Sequence, residues 1–205
     1  MSESSHSVAY LAATAELARA IDPSRLDEMA RGLADIRDRR GRLFILGVGG
    51  GAGHASHAVN DFRKLCALES YAPTDNVSEL TARTNDDGWD STFSAWLAVS
   101  RLCQRDGLLV FSVGGGSRQH NVSVNLVYAM EAARAARASL YGVVGAPGGT
   151  LAELADIAVV LKTPPALRTP LVESFQAVVW HALVSHPALA ARQGHWESLV
   201  GTGAS

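Results

Sequence analysis

Short runs of apolar residues alternate along the chain with longer segments in which apolar residues recur every three or four positions. The short runs are typical of buried strands, and the longer segments are typical of amphipathic helices. Strands are predicted over residues 42–46, 108–113, 140–144 and 157–161, with a weaker one at 68–72. Strands that alternate with helices form a parallel sheet covered on both faces. The pattern therefore predicts an α/β fold, a three-layer sandwich around a five-stranded parallel sheet in the flavodoxin-like order.

Helices are predicted before the first strand and between the later ones. They cover about 8–20, 24–39, 54–65, 93–104, 119–138, 148–154 and 170–185. Asp22 or Ser24 is the expected cap of the second helix, because both side chains can accept a hydrogen bond from a free backbone N–H group. Thr169 is the expected cap of the last helix, with Pro170 at its first position.

Two glycine-rich turns follow the first and third strands, at residues 47–53 and 112–117. Such a turn lets the backbone approach a ligand closely, and the helix behind it directs free N–H groups and a positive dipole end toward that ligand. Two of them in one domain predict a phosphorylated ligand held from two sides. The candidate binding residues are Gly49, Gly50, Gly51, Ser112, Gly114, Gly115, Gly116 and Ser117. No Gly-Lys-Ser/Thr follows either turn, and no acidic residue clearly ends the second strand, so ATPase and dehydrogenase functions are not favoured.

Composition narrows the class of protein further. The 205 residues are 47% apolar with a net charge of −2, which fits one domain with a substantial core. Lys and Arg are scattered and no apolar run could cross a bilayer, so we expect neither a nucleic-acid nor a membrane partner. Cys66 and Cys103 lack metal-type spacing and the N-terminus does not resemble a signal peptide, which favours reduced thiols in a cytoplasmic protein.

Four residues form a candidate metal and catalytic set. His57 and Asp61 lie four apart on a predicted helix, and therefore on one face of it. Glu173 and His181 lie eight apart on the last helix, roughly on one side. Two imidazoles and two carboxylates suit zinc and other divalent metals, if the two helices meet. Taken singly, each has a simpler explanation: a surface pair, a solvated glutamate and a core histidine.

The segment 74–90 is polar and rich in turn formers, which indicates a loop with at most a helical turn at 78–83. Within it, Asn85 and Asp86 offer oxygen and nitrogen atoms that could bind sugar hydroxyls. An ordinary Asx turn explains the same residues equally well.

Together these features resemble the sugar isomerase (SIS) domain, and within it the phosphoheptose isomerases. The resemblance extends from the N-terminal helices to His186. It is carried by Gly47-Val48-Gly49-Gly50-Gly51, His57 with Asp61, Thr84-Asn85-Asp86-Asp87-Gly88, Ser112-Val113-Gly114-Gly115-Gly116-Ser117, and Glu173 with His181.

The resemblance implies a single SIS domain, with N-terminal helices in 1–40, the core in 41–190 and a tail in 191–205. It implies a homotetramer in which the N-terminal helices pack between subunits and the active sites lie at interfaces. The implied reaction interconverts D-sedoheptulose 7-phosphate and a D-glycero-D-heptose 7-phosphate. Proton transfer falls to Asp61 and His181, and sugar contacts include Asp86 and Glu173. Zinc ligation is implied for His57, Asp61, Glu173 and His181.

Several positions depart from the pattern of the phosphoheptose isomerases. Val48 and Gly51 replace an Asn and a Ser in the first turn, and Val113 and Gly114 replace a Thr and a Ser in the second. Asp61 replaces a Glu. The amide expected at position 173 is a carboxylate, whose negative charge would favour a bound cation. These changes indicate a subgroup with altered substrate handling, or a member that has lost catalysis.

Three alternatives therefore stay open beside the phosphoheptose isomerase. One is another sugar-phosphate isomerase, for instance of amino-sugar phosphates. The second is a non-catalytic SIS module that binds a sugar phosphate. The third, a purely structural assembly protein, is disfavoured because glycine-rich turns suit scaffolding poorly.

Overall fold

The computed structural model describes residues 5–191, so the predicted tail lies outside the described residues from position 192 onward. The helices are α1 (His6–Ala20), α2 (Pro23–Asp38), α3 (Gly50–Cys66), α4 (Val77–Asp87), α5 (Thr92–Val99), α6 (Val124–Ala135), α7 (Gly149–Leu154) and α8 (Arg168–Val184). The strands are β1 (Leu43–Gly47), β2 (Ser70–Tyr71), β3 (Gly107–Ser112), β4 (Ser139–Gly145) and β5 (Ile157–Leu161). Short 3₁₀ turns lie at Pro73–Asp75, Trp89–Ser91 and Pro165–Leu167.

The strands form one parallel sheet in the order β2-β1-β3-β4-β5, which confirms the predicted flavodoxin-like order. In β1, Leu43 lies opposite Gly107 of β3, and Gly47 lies opposite Phe111. Strand order reverses between β1 and β3, and ligands of such sheets bind beyond the carboxyl ends at this switch point. Both glycine turns start there.

Side chains alternate between the two faces of the sheet, and each face has its own helices. Leu43 and Ile45 pack with α2, α3 and α8, in a core that also includes Phe62 and Trp180. The intervening residues of β1 belong to the opposite core with α5, α6 and α7; this core includes Phe44, Leu46, Phe93, Leu126 and Leu151. The three-layer sandwich is therefore confirmed. Across residues 5–191, no helix has both the length and the apolar character that a bilayer span requires.

Two helix starts differ from the prediction because of the glycine turns. α3 begins at Gly50, four residues before the predicted start, because Gly49 at φ +59° turns the chain directly into the helix. Gly51 in its first turn lies so close to β3 that a Cβ there would be 2.9 Å from the Phe111 carbonyl oxygen. α6 begins only at Val124, because residues 117–122 close a small loop by an antiparallel bridge.

Two other predictions about helices were wrong. The polar segment 74–90 contains the eleven-residue helix α4, capped by Asn76, whose side chain accepts from the Glu79 N–H. α4 has no fully buried residue, and only three of its eleven residues, Val77, Leu80 and Ala82, are apolar, so the segment resembles a polar loop. α8 begins at Arg168 after Leu167, without the side-chain cap expected from Thr169.

The amino ends of β1 and β3 are joined by a fully paired carboxylate. Asp106 Oδ1 accepts from the backbone N–H (2.9 Å) and Nε (3.2 Å) of Arg42, and Oδ2 accepts from Arg42 Nη2 at 2.7 Å and the Cys103 N–H at 3.0 Å. Burial would raise the pKa of Asp106, but these hydrogen bonds outweigh burial and hold it below its ordinary value. This pairing fixes the edge of the sheet opposite the glycine turns.

Candidate functional site

The first glycine turn faces a carboxylate of the protein itself. α3 starts at Gly50 without a side-chain cap: the N–H groups of Gly51 and Ala52 donate to the Val48 and Gly49 carbonyls, and no side chain caps the positive end of the helix dipole. The Glu173 carboxylate of α8 lies against this start: a Cβ on Gly50 would be 2.6 Å from one of its oxygens. Negative charge already occupies the position that the sequence predicted for a ligand anion.

The second glycine turn is closed by its serines. Ser112 Oγ accepts from the Gly115 N–H at 2.9 Å, and Ser117 Oγ accepts from the His120 N–H at 3.2 Å. Each hydroxyl therefore keeps its own hydrogen to donate to a ligand. The carbonyls of Gly115 and Gly116 accept from the first N–H groups of α7, so these two glycines fasten the turn to that helix. Gly114 is left facing a cleft.

This cleft, of about 360 Å³, lies between the two turns and the first half of α8. Its walls combine backbone of the two turns with five polar side chains, three of which belong to α8. The lining residues are Val48, Gly51, Phe111, Ser112, Val113, Gly114, Val122, Ser123, Leu126, Arg168, Glu173 and Gln176. Of the predicted ligand-binding residues, Gly51, Ser112, Gly114 and Glu173 therefore line the same cleft.

Three of the four predicted metal ligands meet between α3 and α8, farther along the two helices whose first halves border the cleft. One ligand atom each from His57, Asp61 and His181 lies within 4.8 Å of the others. Asp61 Oδ2 is 3.5 Å from His57 Nε2 and 3.7 Å from His181 Nε2. The Asp61 side chain is 8% exposed, whereas the two imidazoles are 56% and 45% exposed. A substrate or cation can therefore approach Asp61 from the histidine side.

The carboxylate and one imidazole are held in fixed orientations. Asp61 Oδ2 accepts from Trp180 Nε1 and Oδ1 accepts from Asn60 Nδ2, both at 3.0 Å. His181 Nδ1 donates to the Ala177 carbonyl at 2.8 Å, which leaves the lone pair of Nε2 facing Asp61. A backbone carbonyl that fixes the tautomer in this way is a common support for metal-binding and acid–base histidines.

This donor set fits a divalent cation. Two neutral imidazole nitrogens and one carboxylate oxygen are the ligands of many three-residue zinc sites. Glu173, the fourth predicted ligand, does not belong to the group of three; its carboxylate lies at Gly50 instead.

Three residues of α8 in and beside the cleft were not predicted. Gln176 is fully buried, and its Oε1 accepts from His54 Nδ1 at 2.8 Å. Its Nε2 has no hydrogen-bond partner in the described part of the chain. Trp180 stacks near His181, with ring centroids 4.7 Å apart, and supports Asp61. A polar Gln176 on the buried face of a helix was a signal in the sequence; for Arg168 and Trp180 there was none.

The predicted sugar-binding residues of the segment 74–90 lie elsewhere. Asn85 and Asp86 are exposed in the last turn of α4, where Asn85 Nδ2 donates to Asp86 Oδ1 at 2.7 Å. Neither lines the cleft formed by the described residues of this chain.

The chain is similar to known proteins in sequence and in fold. No protein-family model matches the chain. It is 33% identical to the lincomycin biosynthesis protein LmbN of Streptomyces lincolnensis over 84% of this chain, but spans only 64% of that protein's length. It is 32% identical to a phosphoheptose isomerase of Rhodospirillum rubrum over 70% of this chain and 73% of that one.

A solved structure supports the fold. Phosphoheptose isomerase GmhA from Neisseria gonorrhoeae superposes with a TM-score of 0.75 at 23% identity, over 87% of this chain and 93% of that one. From the R. rubrum relative and the shared fold, we conclude that the chain belongs to the phosphoheptose isomerase family of SIS-domain proteins.

Proposed function

We propose that the protein is an aldose–ketose isomerase that converts D-sedoheptulose 7-phosphate into a D-glycero-D-heptose 7-phosphate through a cis-enediol. The observation that carries the proposal is the cluster of His57, Asp61 and His181, held by α3 and α8, the two helices that also border the cleft at the switch point of the sheet. An oriented carboxylate and an oriented imidazole are the two groups that proton transfer between neighbouring carbons and oxygens requires.

In the proposed mechanism, Asp61 removes the proton from the substrate carbon. The N–H groups of Trp180 and Asn60 hold its carboxylate with Oδ2 toward the open histidine side. His181, whose Nε2 lone pair faces the same space, moves the proton between the two substrate oxygens. General acid–base assistance of this kind is worth roughly 10²–10⁴-fold. Collapse of the enediol with the proton on the neighbouring carbon completes the isomerisation.

A divalent cation, with zinc as the first choice, belongs to the proposal. His57, Asp61 and His181 would hold it, and Glu173 is the family position for a fourth ligand. Because a metal-bound carboxylate is a weaker base, the metal-binding and proton-transfer roles of Asp61 and His181 would be shared or would alternate. When bound, such a cation supplies Lewis-acid stabilisation of negative charge on the substrate oxygens. Glu173 would have to leave Gly50 to join the set.

The phosphoryl group belongs at the second turn in this proposal. Glu173 gives the first turn a negative charge, whereas Ser112 and Gly114 offer O–H and N–H donors on the facing wall. Gly49, Gly50, Gly115, Gly116 and Ser117 complete the proposed substrate-binding set of this chain. Asn85 and Asp86, which lie outside its cleft, would join the set across an interface of the homotetramer proposed below.

The proposal also includes a homotetramer with interfacial active sites in the cytoplasm. Val8 and Leu11 on α1 are 60% and 66% exposed, which suits packing of the N-terminal helices between subunits. Both cysteines are free thiols, as expected in a reducing compartment.

The decisive experiment incubates the purified protein with sedoheptulose 7-phosphate, with and without a chelator, and identifies the product by NMR. We expect an aldoheptose 7-phosphate and a loss of turnover after metal removal that added Zn²⁺ restores. A panel of other ketose phosphates, including amino sugars, tests the neighbouring isomerase activities.

A second candidate, a sugar-phosphate-binding module without catalysis, is favoured by the residues Val48, Gly51, Val113 and Gly114, which remove polar contacts from both turns. Calorimetry separates the two: binding of sedoheptulose 7-phosphate without product supports the module. If the protein shows no binding of sedoheptulose 7-phosphate and forms no product, both candidate functions are excluded.

A further inference from the structure

Arg168 is a cation in the cleft without a counter-ion. It is half-buried as the first residue of α8, and it lines the cleft with Ser112 and Gly114. No carboxylate of residues 5–191 lies within ion-pairing distance of it, although it is half-buried in the wall of a cleft. Its Cγ lies 3.6 Å from the position of a Cβ on Gly145, so its stem packs at the carboxyl end of β4.

The position of Arg168 in its helix is electrostatically unfavourable. A cation at a helix N-terminus faces the positive end of the dipole. α8 has 17 residues, no acidic residue in its first turn and no side-chain cap on its first N–H groups. By contrast, α2 begins after Asp22, whose carboxylate accepts from the Ser24 N–H. A local conflict of this kind in a cleft is expected where a ligand supplies the missing charge.

The cleft has opposite charges at its two ends. Glu173 and Arg168 are separated by five residues, about 7.5 Å along the helix axis, and do not form an ion pair in the described structure. The Glu173 carboxylate lies at the start of α3, and Arg168 lies by the second turn. An anionic group is therefore repelled from the first turn and attracted to the second.

The middle of the second turn has no side-chain hydrogen-bond donors, and Arg168 could supply them. Val113 and Gly114 stand between Ser112 and the glycines that fasten the turn to α7, so the middle of the turn offers backbone N–H groups only. A guanidinium presents a planar fork of N–H donors that matches two phosphoryl oxygens.

We propose that Arg168 binds the phosphoryl group of the substrate and fixes the direction in which a sugar phosphate enters the cleft. The proposal rests on the proposed function, because a sugar phosphate is its ligand. It assigns to this chain a charged phosphate contact on α8 that offsets the loss of hydroxyl groups from the second turn.

Three variants test it: Arg168→Ala, Arg168→Gln, which keeps the stem, and Arg168→Lys, which keeps the charge. Arg25→Ala on α2, which removes an exposed arginine, is the matched control. For Arg168→Ala and Arg168→Gln we expect KM for sedoheptulose 7-phosphate to rise about 10- to 100-fold, as for the loss of one charged hydrogen-bonding group. Arg168→Lys recovers part of the loss, and Arg25→Ala is unchanged.

Calorimetry with inorganic phosphate provides a readout that does not depend on turnover. We expect the affinity for inorganic phosphate to fall in Arg168→Ala by a factor similar to the change in KM, and unphosphorylated sedoheptulose to bind both proteins equally. If phosphate affinity and KM are equal in wild type and variants, the proposed role of Arg168 is wrong. Turnover by the wild type would still support the isomerase function in that case. If the wild type turns over no sugar phosphate but binds inorganic phosphate, and the Arg168→Ala variant does not bind it, the isomerase assignment fails and the anion site at Arg168 stands.

Discussion

The two ends of the parallel strands, called here the amino edge and the carboxyl edge of the sheet, differ in how their polar side chains are paired. At the amino edge, Asp106 is 2% exposed and has four hydrogen bonds from Arg42 and Cys103. At the carboxyl edge, Arg168 lacks an ion-pair partner and Gln176 Nε2 lacks a hydrogen-bond partner within residues 5–191. Buried polar groups are normally paired because an unpaired one destabilises the fold. The comparison indicates that the amino edge maintains the fold and the carboxyl edge is kept ready for a ligand.

The largest expected effect is at the carboxyl edge. In Asp61→Asn the side chain keeps its shape and an oxygen for the Trp180 N–H, but it no longer accepts a proton. We expect turnover of sedoheptulose 7-phosphate to fall by about 10²–10⁴-fold, while the melting temperature changes little. Stopped and continuous assays of product formation measure turnover, and thermal unfolding measures the melting temperature as the control for folding. Near-normal turnover would remove Asp61 from the mechanism.

The same substitution at the amino ends of the strands should have the opposite result: it should reduce stability and leave turnover unchanged. Asp106→Asn removes the negative charge opposite Arg42 and places an N–H group toward its donors. We expect the free energy of unfolding to fall by about 2–3 kcal/mol, with kcat of the folded fraction unchanged. Denaturant titration gives the first quantity. A large change in kcat with unaltered stability would contradict the division between the two edges.

The pH dependence of stability sharpens this comparison. The pKa of Asp106 is lower in the folded protein than its ordinary value of 3.8, so its contribution is fully present above that value. As the pH falls through the folded pKa, the carboxylate is protonated and the contribution is lost. The stability difference between wild type and Asp106→Asn should therefore be constant from pH 6 to about 5, then shrink on further acidification. A difference that stays constant down to the acid transition contradicts the assignment.

The smallest expected effect is a gain in stability at the carboxyl edge. Gln176→Met removes a buried amide whose Nε2 is unpartnered, and half-buried His54 can turn its Nδ1 toward water. We expect unfolding free energy to be unchanged or raised by up to about 1 kcal/mol. Chemical denaturation measures this free energy, and Asp106→Asn, which is expected to lower it, serves as the control. A loss above about 2 kcal/mol would show that Gln176 stabilises the fold as Asp106 does.

The sheet could be predicted from the sequence because its strands are continuous apolar runs. β5 lies at the predicted residues 157–161, and the glycine turns marked the switch point between β1 and β3. α4 could not be predicted, because only three of its eleven residues are apolar and its Ser, Thr, Asn and Asp residues are equally typical of turns. The start of α3 was missed because glycines normally interrupt helices, whereas Gly51 is required there by its close approach to the Phe111 carbonyl.

The site was predictable only where spacing within one helix fixed the geometry. His57 and Asp61 share a face of α3 by their four-residue spacing, and their meeting with His181 was a hypothesis about tertiary packing. The hydrogen bond from Trp180 to Asp61 joins residues 119 apart, and Trp180 lies in an apolar run that indicates only a core position. Arg168 is recognised as unusual only when the charges around it are known.

The placement of Trp180 gives the protein an internal optical probe. Its indole is 2% exposed, donates to Asp61 and has the rings of His57 and His181 at 5.3 and 4.7 Å. Fluorescence of an indole responds to neighbouring charge, so a change at Asp61 alters the emission directly. Replacing the other three tryptophans by phenylalanine leaves a single emitter, through which the arrival of a cation or sugar can be followed in real time without a label.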